Sequence, residues 1–225
     1  MKGYLRADGK KGIRNNILVV YLVECAHHVA RAIVTGSNRD NVQLIGFPGC
    51  YPNDYALKMM QALGTHPNVH SVLLVSLGCE SFNREKLSQT ILESGREVDT
   101  LVIQEAGGTK STIEAGISIV DSMLIKSETV ATVDMDISEL VIGTICGGSD
   151  GTSGISANPA VGHCFDKLIS DKAICIFEET GELIGCEQIM ERRSATPELG
   201  QEVVKAVEKA ENYYYILEGS VEEYE

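Results

Sequence analysis

The chain has 225 residues, 44% of them hydrophobic, and its 19 basic against 32 acidic side chains give a formal net charge of -13. That excess of negative charge disfavours nonspecific contact with nucleic acid or an anionic membrane surface. No run of about 18 apolar residues is present, and Met1-Lys2-Gly3-Tyr4-Leu5-Arg6 lacks the apolar segment of a secretory signal, so a cytoplasmic protein is expected.

The first apolar run, Ile17 to Val23, is β-branched and nearly continuous, as befits a strand covered on both faces. It leads into Glu24-Cys25 and a helix-compatible stretch from Ala26 to Val34. A second strand is expected at Val42 to Phe47, ending in Pro48-Gly49-Cys50. Asp54 is placed to cap a helix with Leu57, Met60 and Leu63 on its apolar face, closed by Gly64. Ser71 to Leu77 reads as a third strand, ending in Gly78-Cys79-Glu80, and Arg84 to Ser94 as a helix stopped by Gly95. Thr100 to Gln104 makes a fourth strand, delivering Glu105 and the turn Gly107-Gly108. Ser111 and Glu114 have capping-box spacing before a helix whose face carries Ile113, Ile117, Val120 and Leu124. Such alternation predicts an α/β fold, a Rossmann-like parallel layer with helices on both faces.

Residues 1–125 form the first α/β domain in this reading, and 126–139, polar and acidic, a linker or edge hairpin. A second α/β unit follows over 140–225. Its elements are a strand from Leu140 to Ile145, a helix from Pro159 to Ser170, and a strand from Ala173 to Phe177 that delivers Glu178 and Glu179. A long helix opens at Thr196-Pro197 with Leu199, Val203, Val207, Ala210 and Tyr214 on its buried face. Two strands rarely make a stable sheet alone, so these are expected either to extend the first sheet or to form a unit that is incomplete without further residues or a partner chain.

Seven cysteines, an odd number in a chain large enough to build a core, are expected to be reduced. Cys25, Cys50, Cys79 and Cys146 each follow a strand, and in an open parallel sheet all such ends share one edge, where ligands bind. Cys164, Cys175 and Cys186 read as packing residues. The densest chemistry lies between Cys146 and Ala160, where a thiol, the Asp150 carboxylate, four hydroxyls and four glycines fall within fifteen residues. This is a cradle for something small and rich in oxygen, the plain alternative being a turn that links strand to helix. Thiolates and carboxylates together suit Fe(II) or Zn(II), although no C-x-x-C pair is present. Gly107-Gly108-Thr109-Lys110 lacks the first glycine of a phosphate loop, and no G-x-G-x-x-G opens the first helix, which argues against nucleotide chemistry.

Four segments in order, Gly3 to Gly9 with Gly12 to Asn15, Leu77 to Glu80, Gln104 to Thr109, and Cys146 to Asp150 through Asn158-Pro159-Ala160, resemble the altronate/galactarate dehydratase family. That family includes the large subunit of sulfolactate sulfo-lyase. The resemblance implies a hydro-lyase that uses a divalent metal, Fe(II), to eliminate water from a sugar acid and yield a 2-keto-3-deoxy acid. Its alternatives are elimination of sulfite from sulfolactate and a noncatalytic carboxylate-binding or assembly module; an iron–sulfur electron carrier is a third. It implies Cys79, Glu80, Cys146 and Asp150 as catalytic residues, and Cys25, Cys79 and Cys146 as metal ligands. Gln104, Gly107, Gly108, Thr109, Gly147, Gly148, Ser149, Ser153 and Asn158 are implied to bind substrate. Where family members often carry His before the second Gly-Cys pair, this chain reads Gly46-Phe47-Pro48-Gly49-Cys50. The chain is expected to be a fragment or split large subunit, working as a homo-oligomer or with a separate small subunit or a missing C-terminal segment.

Overall fold

The computed structural model describes residues 1–148 and 150–222, with side chains described as far as residue 216. It divides into two compact units, Met1–Asp136 and Ile137–Glu225. The first runs β1 (Lys2–Leu5), β2 (Lys11–Gly12), β3 (Asn16–Tyr21), α1 (Glu24–Ser37), β4 (Val42–Gly46), α2 (Asp54–Gly64), β5 (Val69–Ser76), α3 (Arg84–Glu93), β6 (Glu97–Val102), α4 (Thr109–Glu128) and β7 (Thr132–Asp134). Strands β4-β3-β5-β6 form a parallel sheet in that order, and β2-β1-β7 a small antiparallel one.

Continuous apolar strands are the sequence signature of burial on both faces, and side chains alternate between faces with period two. Ile17, Val19, Leu73 and Val75 accordingly enter one cluster with Val29 and Ile33 of α1 and Val120 and Met123 of α4. Leu18, Val20, Val72 and Leu74 enter the other, with Leu87 and Ile91 of α3 and Leu57 and Met60 of α2 packed against it. Helices α1 and α4 approach closely: a Cβ at Gly116 would stand 2.3 Å from Ile33 Cδ1. Two caps differ from expectation. Asn53, not Asp54, caps α2 by accepting from the Ala56 amide, and α4 opens at Thr109 after Gly108 with no side-chain cap, which leaves Ser111 inside the helix.

The segment Gly3 to Asn15 folds into β1 and β2 and is docked at the amino ends of the parallel strands. Arg6 Nε donates to Pro67 O at 2.6 Å and its Nη2 to Arg14 O at 3.0 Å; Arg96 Nη2 reaches His66 O at 3.2 Å. A Cβ on Gly12 would lie 2.1 Å from the Pro67 carbonyl oxygen, so the hairpin sits on backbone with no room for a side chain. This motif therefore serves the fold, at the opposite end of the sheet from Cys25 and Cys79. The stretch 126–139, expected as a linker or edge hairpin, is divided: α4 runs to Glu128, and β7 is an edge strand that pairs with β1 inside the first unit.

The second unit begins at Ile137 and contains β8 (Val141–Thr144), α5 (Ala157–Ser170), β9 (Ile174–Phe177), a 3-10 turn at Thr180–Leu183, α6 (Glu187–Arg193) and α7 (Pro197–Glu222). Its two strands pair in parallel. Of the expected buried face of α7, Val207 is fully buried, whereas Leu199 and Tyr214 are exposed. Cys164 and Cys186 are also exposed, against their reading as packing residues; Cys175 is half-buried. Among the described residues, no helix is long and apolar enough to cross a membrane.

Candidate active site

In the first unit the chain steps from β3 to β4 on one side and then to β5 on the other, so strand order reverses between β3 and β5. Ligands of open α/β sheets bind outside the carboxyl ends of the strands at such a switch. The loops that leave these two strands carry Cys25 and Cys79, both exposed. Cys25 stands in the first turn of α1, whose N-cap, Val23, has extended backbone and makes no side-chain cap. One residue before it, the Glu24 carboxylate lies 3.1 Å from His27 Nδ1, and the His27 ring packs on Tyr21 with centroids 4.7 Å apart. Glu24 N–H donates to Pro48 O at 3.2 Å, tying this loop to the one after β4.

Glu80 is braced. It accepts from the Ser76 hydroxyl and from the Gly78 amide at 2.8 Å. Burial alone would raise its pKa, but the hydrogen bonds from Ser76, Gly78 and its own amide, with the Arg84 charge, outweigh that and hold it below the ordinary carboxylate value. After β6, Gln104 and Glu105 are exposed. A Cβ on Gly78 would come within 2.7 Å of Gln104 Oε1, so these two loops touch. Gly107 and Gly108 have φ of +85° and +92°, conformations that favour glycine, and they turn the chain into α4, where Thr109 is exposed. Their positions fit a tight turn first.

In the second unit, an open groove of about 1080 Å³ runs along the Cys146–Gly162 segment and the end of β9. Cys146, Gly147, Gly148, Asp150, Ser153 and Asn158 all line it. Ser149 lies outside the described residues. A Cβ on Gly147 or Gly148 would meet nothing within 4 Å, so space rather than steric demand surrounds these glycines.

Asp150 and Ser153 are less available than their side chains suggest. Asp150 Oδ1 accepts from Thr152 N at 2.7 Å and Thr152 Oγ1 at 2.9 Å, bonds that hold its pKa below the ordinary value. The Ser153 hydroxyl donates to Asp150 O, which leaves it an acceptor for any ligand, and the Ser156 hydroxyl donates to Thr152 O at 2.9 Å. These groups shape the loop. Among the described residues expected to bind, Asn158 lines the groove with a side chain that carries donor and acceptor together.

A donor set appears where sequence spacing showed only part of one. Cys146, Glu179 and Glu182 place their ligand atoms within 4.8 Å of one another, all exposed. The strand register explains it: Thr144 pairs with Phe177, and Cys146 and Glu179 each stand two residues beyond. Glu179 adopts left-handed backbone, φ 65°, as it opens the 3-10 turn that carries Glu182. The signal for Glu182 was its i+3 spacing from Glu179. Of the anticipated ligands, Cys25 and Cys79 belong to the first unit and Cys146 to the second, where the donors gathered beside it are carboxylates. Thiolate with two carboxylates is a donor chemistry that fits Fe(II) or Zn(II).

Residues 3–128 match the family model described as D-galactarate dehydratase/Altronate hydrolase, second domain, and residues 137–224 that described as D-galactarate/Altronate dehydratase, C-terminal. An altronate dehydratase of Bacillus subtilis is 26% identical over 226 residues, 95% of this chain and 45% of the relative. The (2R)-sulfolactate sulfo-lyase subunit beta of Chromohalobacter salexigens is 30% identical over 88% of this chain and 51% of its own length. A galactarate dehydratase (L-threo-forming) of Escherichia coli is 28% identical over 94% and 45%. The chain spans about half the length of the curated relatives it matches.

Proposed function

Because the chain belongs to the D-galactarate dehydratase/altronate hydrolase family, we propose that it supplies binding and catalytic groups of a hydro-lyase acting on a sugar acid such as altronate or galactarate. The observation that carries this reading is the in-order match of both structural units to two domains of one dehydratase family. The groove in the second unit supports it. Cys146, Glu179 and Glu182 would hold a divalent metal there, Fe(II) by preference. Such a metal supplies Lewis acidity that makes the proton α to the substrate carboxylate easier to remove.

The protein's own groups have distinct tasks. Asn158 can donate to one substrate oxygen and accept from a hydroxyl, which orients a polyol along the groove. Ser153, whose proton is already given to Asp150 O, can accept a substrate O–H. Elimination needs a base at the α-carbon and an acid at the departing β-hydroxyl, and Glu178, in the same groove and outside the metal set, is placed for proton transfer. Loss of water leaves an enol that becomes a 2-keto-3-deoxy acid. In the first unit, Cys79 presents a thiol at the sheet's switch point, the second place where a reacting group stands exposed.

The similarity to the sulfo-lyase subunit favours one second reading, release of sulfite in place of water. Altronate, galactarate and sulfolactate, each with anaerobic Fe(II), separate the two by 2-keto acid and sulfite production. Co(II) titration is the companion experiment. A thiolate-to-cobalt absorption band is expected, lost in Cys146→Ser. Absence of both turnover and any Cys146-dependent cobalt band would overturn the reading.

A further inference from the structure

We propose that Glu80 is a positioning residue that fixes the Cys79 thiol at the sheet edge. The inference rests on the reading above that Cys79 faces the chemistry, and its geometry lies wholly within the first unit. Both oxygens of the Glu80 carboxylate are turned back on the end of their own strand: Oε1 accepts from the Ser76 hydroxyl and Oε2 from the Gly78 amide at 2.8 Å. Ser76 is fully buried, and its Oγ also accepts from Arg84 Nη1 at 3.1 Å. A continuous hydrogen-bonded chain therefore runs from Glu80 through Ser76, the last residue of β5, to Arg84, the first residue of α3.

The turn between them has little freedom. Gly78 sits at φ +121°, and Gln104 Oε1 fills the space where a Cβ would stand. On the other side of Cys79, Ser81 donates its amide, at 3.1 Å, and its hydroxyl, at 2.8 Å, to the Cys50 carbonyl. Cys79 is thus exposed, with engaged polar groups on both flanks. Each oxygen of Glu80 is engaged, by Ser76 and by Gly78, and those bonds hold the turn that carries the neighbouring thiol.

The test uses the full chain with Glu80→Gln, Glu80→Asp and Glu80→Ala. Iodoacetamide labelling is followed at each cysteine by mass spectrometry, with hydrogen exchange at the Gly78 amide read alongside. Glutamine can still accept from Gly78 N–H, but turning its NH2 towards Ser76 leaves that buried hydroxyl proton without an acceptor. Cys79 labelling and Gly78 exchange are expected to rise by about fivefold in Glu80→Ala, the factor for roughly one lost hydrogen bond, and by less in Glu80→Gln. Cys25, on the same edge, should label at the wild-type rate throughout. Wild-type labelling of Cys79 in Glu80→Ala overturns the inference, as does a parallel acceleration at Cys25, which would mark general loosening. This readout requires no turnover: full activity in Cys79→Ser would sink the role given to Cys79 in the reaction while leaving the positioning result intact.

Discussion

Two strands of similar composition meet opposite fates in this molecule. In the first unit, β3 and β5 are parallel strands whose side chains on both faces are buried, Leu73 to 0% exposure. In the second, β8 and β9 are also parallel and joined through a helix, yet Ile174 and Ile176 are 54% and 52% exposed. Register puts Val141, Ile174 and Ile176 on one face of the ladder and Ile142, Thr144, Cys175 and Phe177 on the other; the first set is exposed, and of the second all but Phe177 are half-buried. Apolar, β-branched sequence is therefore sufficient to make a parallel ladder and insufficient to bury it. Burial needs a second layer, which α1 with α4 and α2 with α3 supply in the first unit.

The contrast can be broken or sharpened by mutation. Leu73→Ala should lower the stability of the first unit by about 2–5 kcal/mol in denaturant unfolding, because a fully buried side chain leaves both its transfer energy and a cavity. Gly12→Ala should cost about 1–3 kcal/mol, since the new Cβ meets the Pro67 backbone and the hairpin must lift; unchanged melting would show that the docking is dispensable. A smaller effect is expected from acid. Burial first, then Arg6, lowers the His70 pKa, against a partial rise from Glu97, so the unfolded chain takes up a proton more readily than the folded one. That contribution is whole above about pH 6.5 and is lost as pH falls through the folded-state value. Melting temperature should decline between about pH 7 and pH 5, less steeply in His70→Gln; equal slopes would remove His70 as the cause. Ile176→Ala should move stability by no more than about 0.5 kcal/mol, and a loss as large as that of Leu73→Ala would dissolve the comparison.

Much of the fold was legible because the strands of the first unit are buried on both faces and therefore continuous in sequence. The strand ends followed from that, and with them the edge that carries Cys25 and Cys79. What escaped was set by distance along the chain. Lys2–Leu5 has no period to betray a strand; it becomes one by pairing with Thr132–Asp134, more than 120 residues away. The stripe Leu199, Val203, Val207, Ala210 and Tyr214 shows the related limit, because periodicity says which residues share a face and nothing about whether the face is covered. At the groove, the cysteine, the asparagine and the glycines were visible as a dense segment. The engagement of Asp150 and Ser153 with their own loop was not, since choosing between a ligand and a nearby backbone group depends on turn geometry. Glu182 entered the donor set only through the fold of the turn that follows β9.

The pairing of Thr144 with Phe177 makes the short ladder a length gauge. Two residues past that rung on either strand bring a thiol and a carboxylate to the same height, and the count must match on both sides. Side chains in a strand alternate direction, so removing one residue from β9 would bring Thr180 to the height that Glu179 holds and dismantle the donor set without altering a single donor. The strand lengths, as much as the identities of Cys146, Glu179 and Glu182, are then what selection on this site would hold constant.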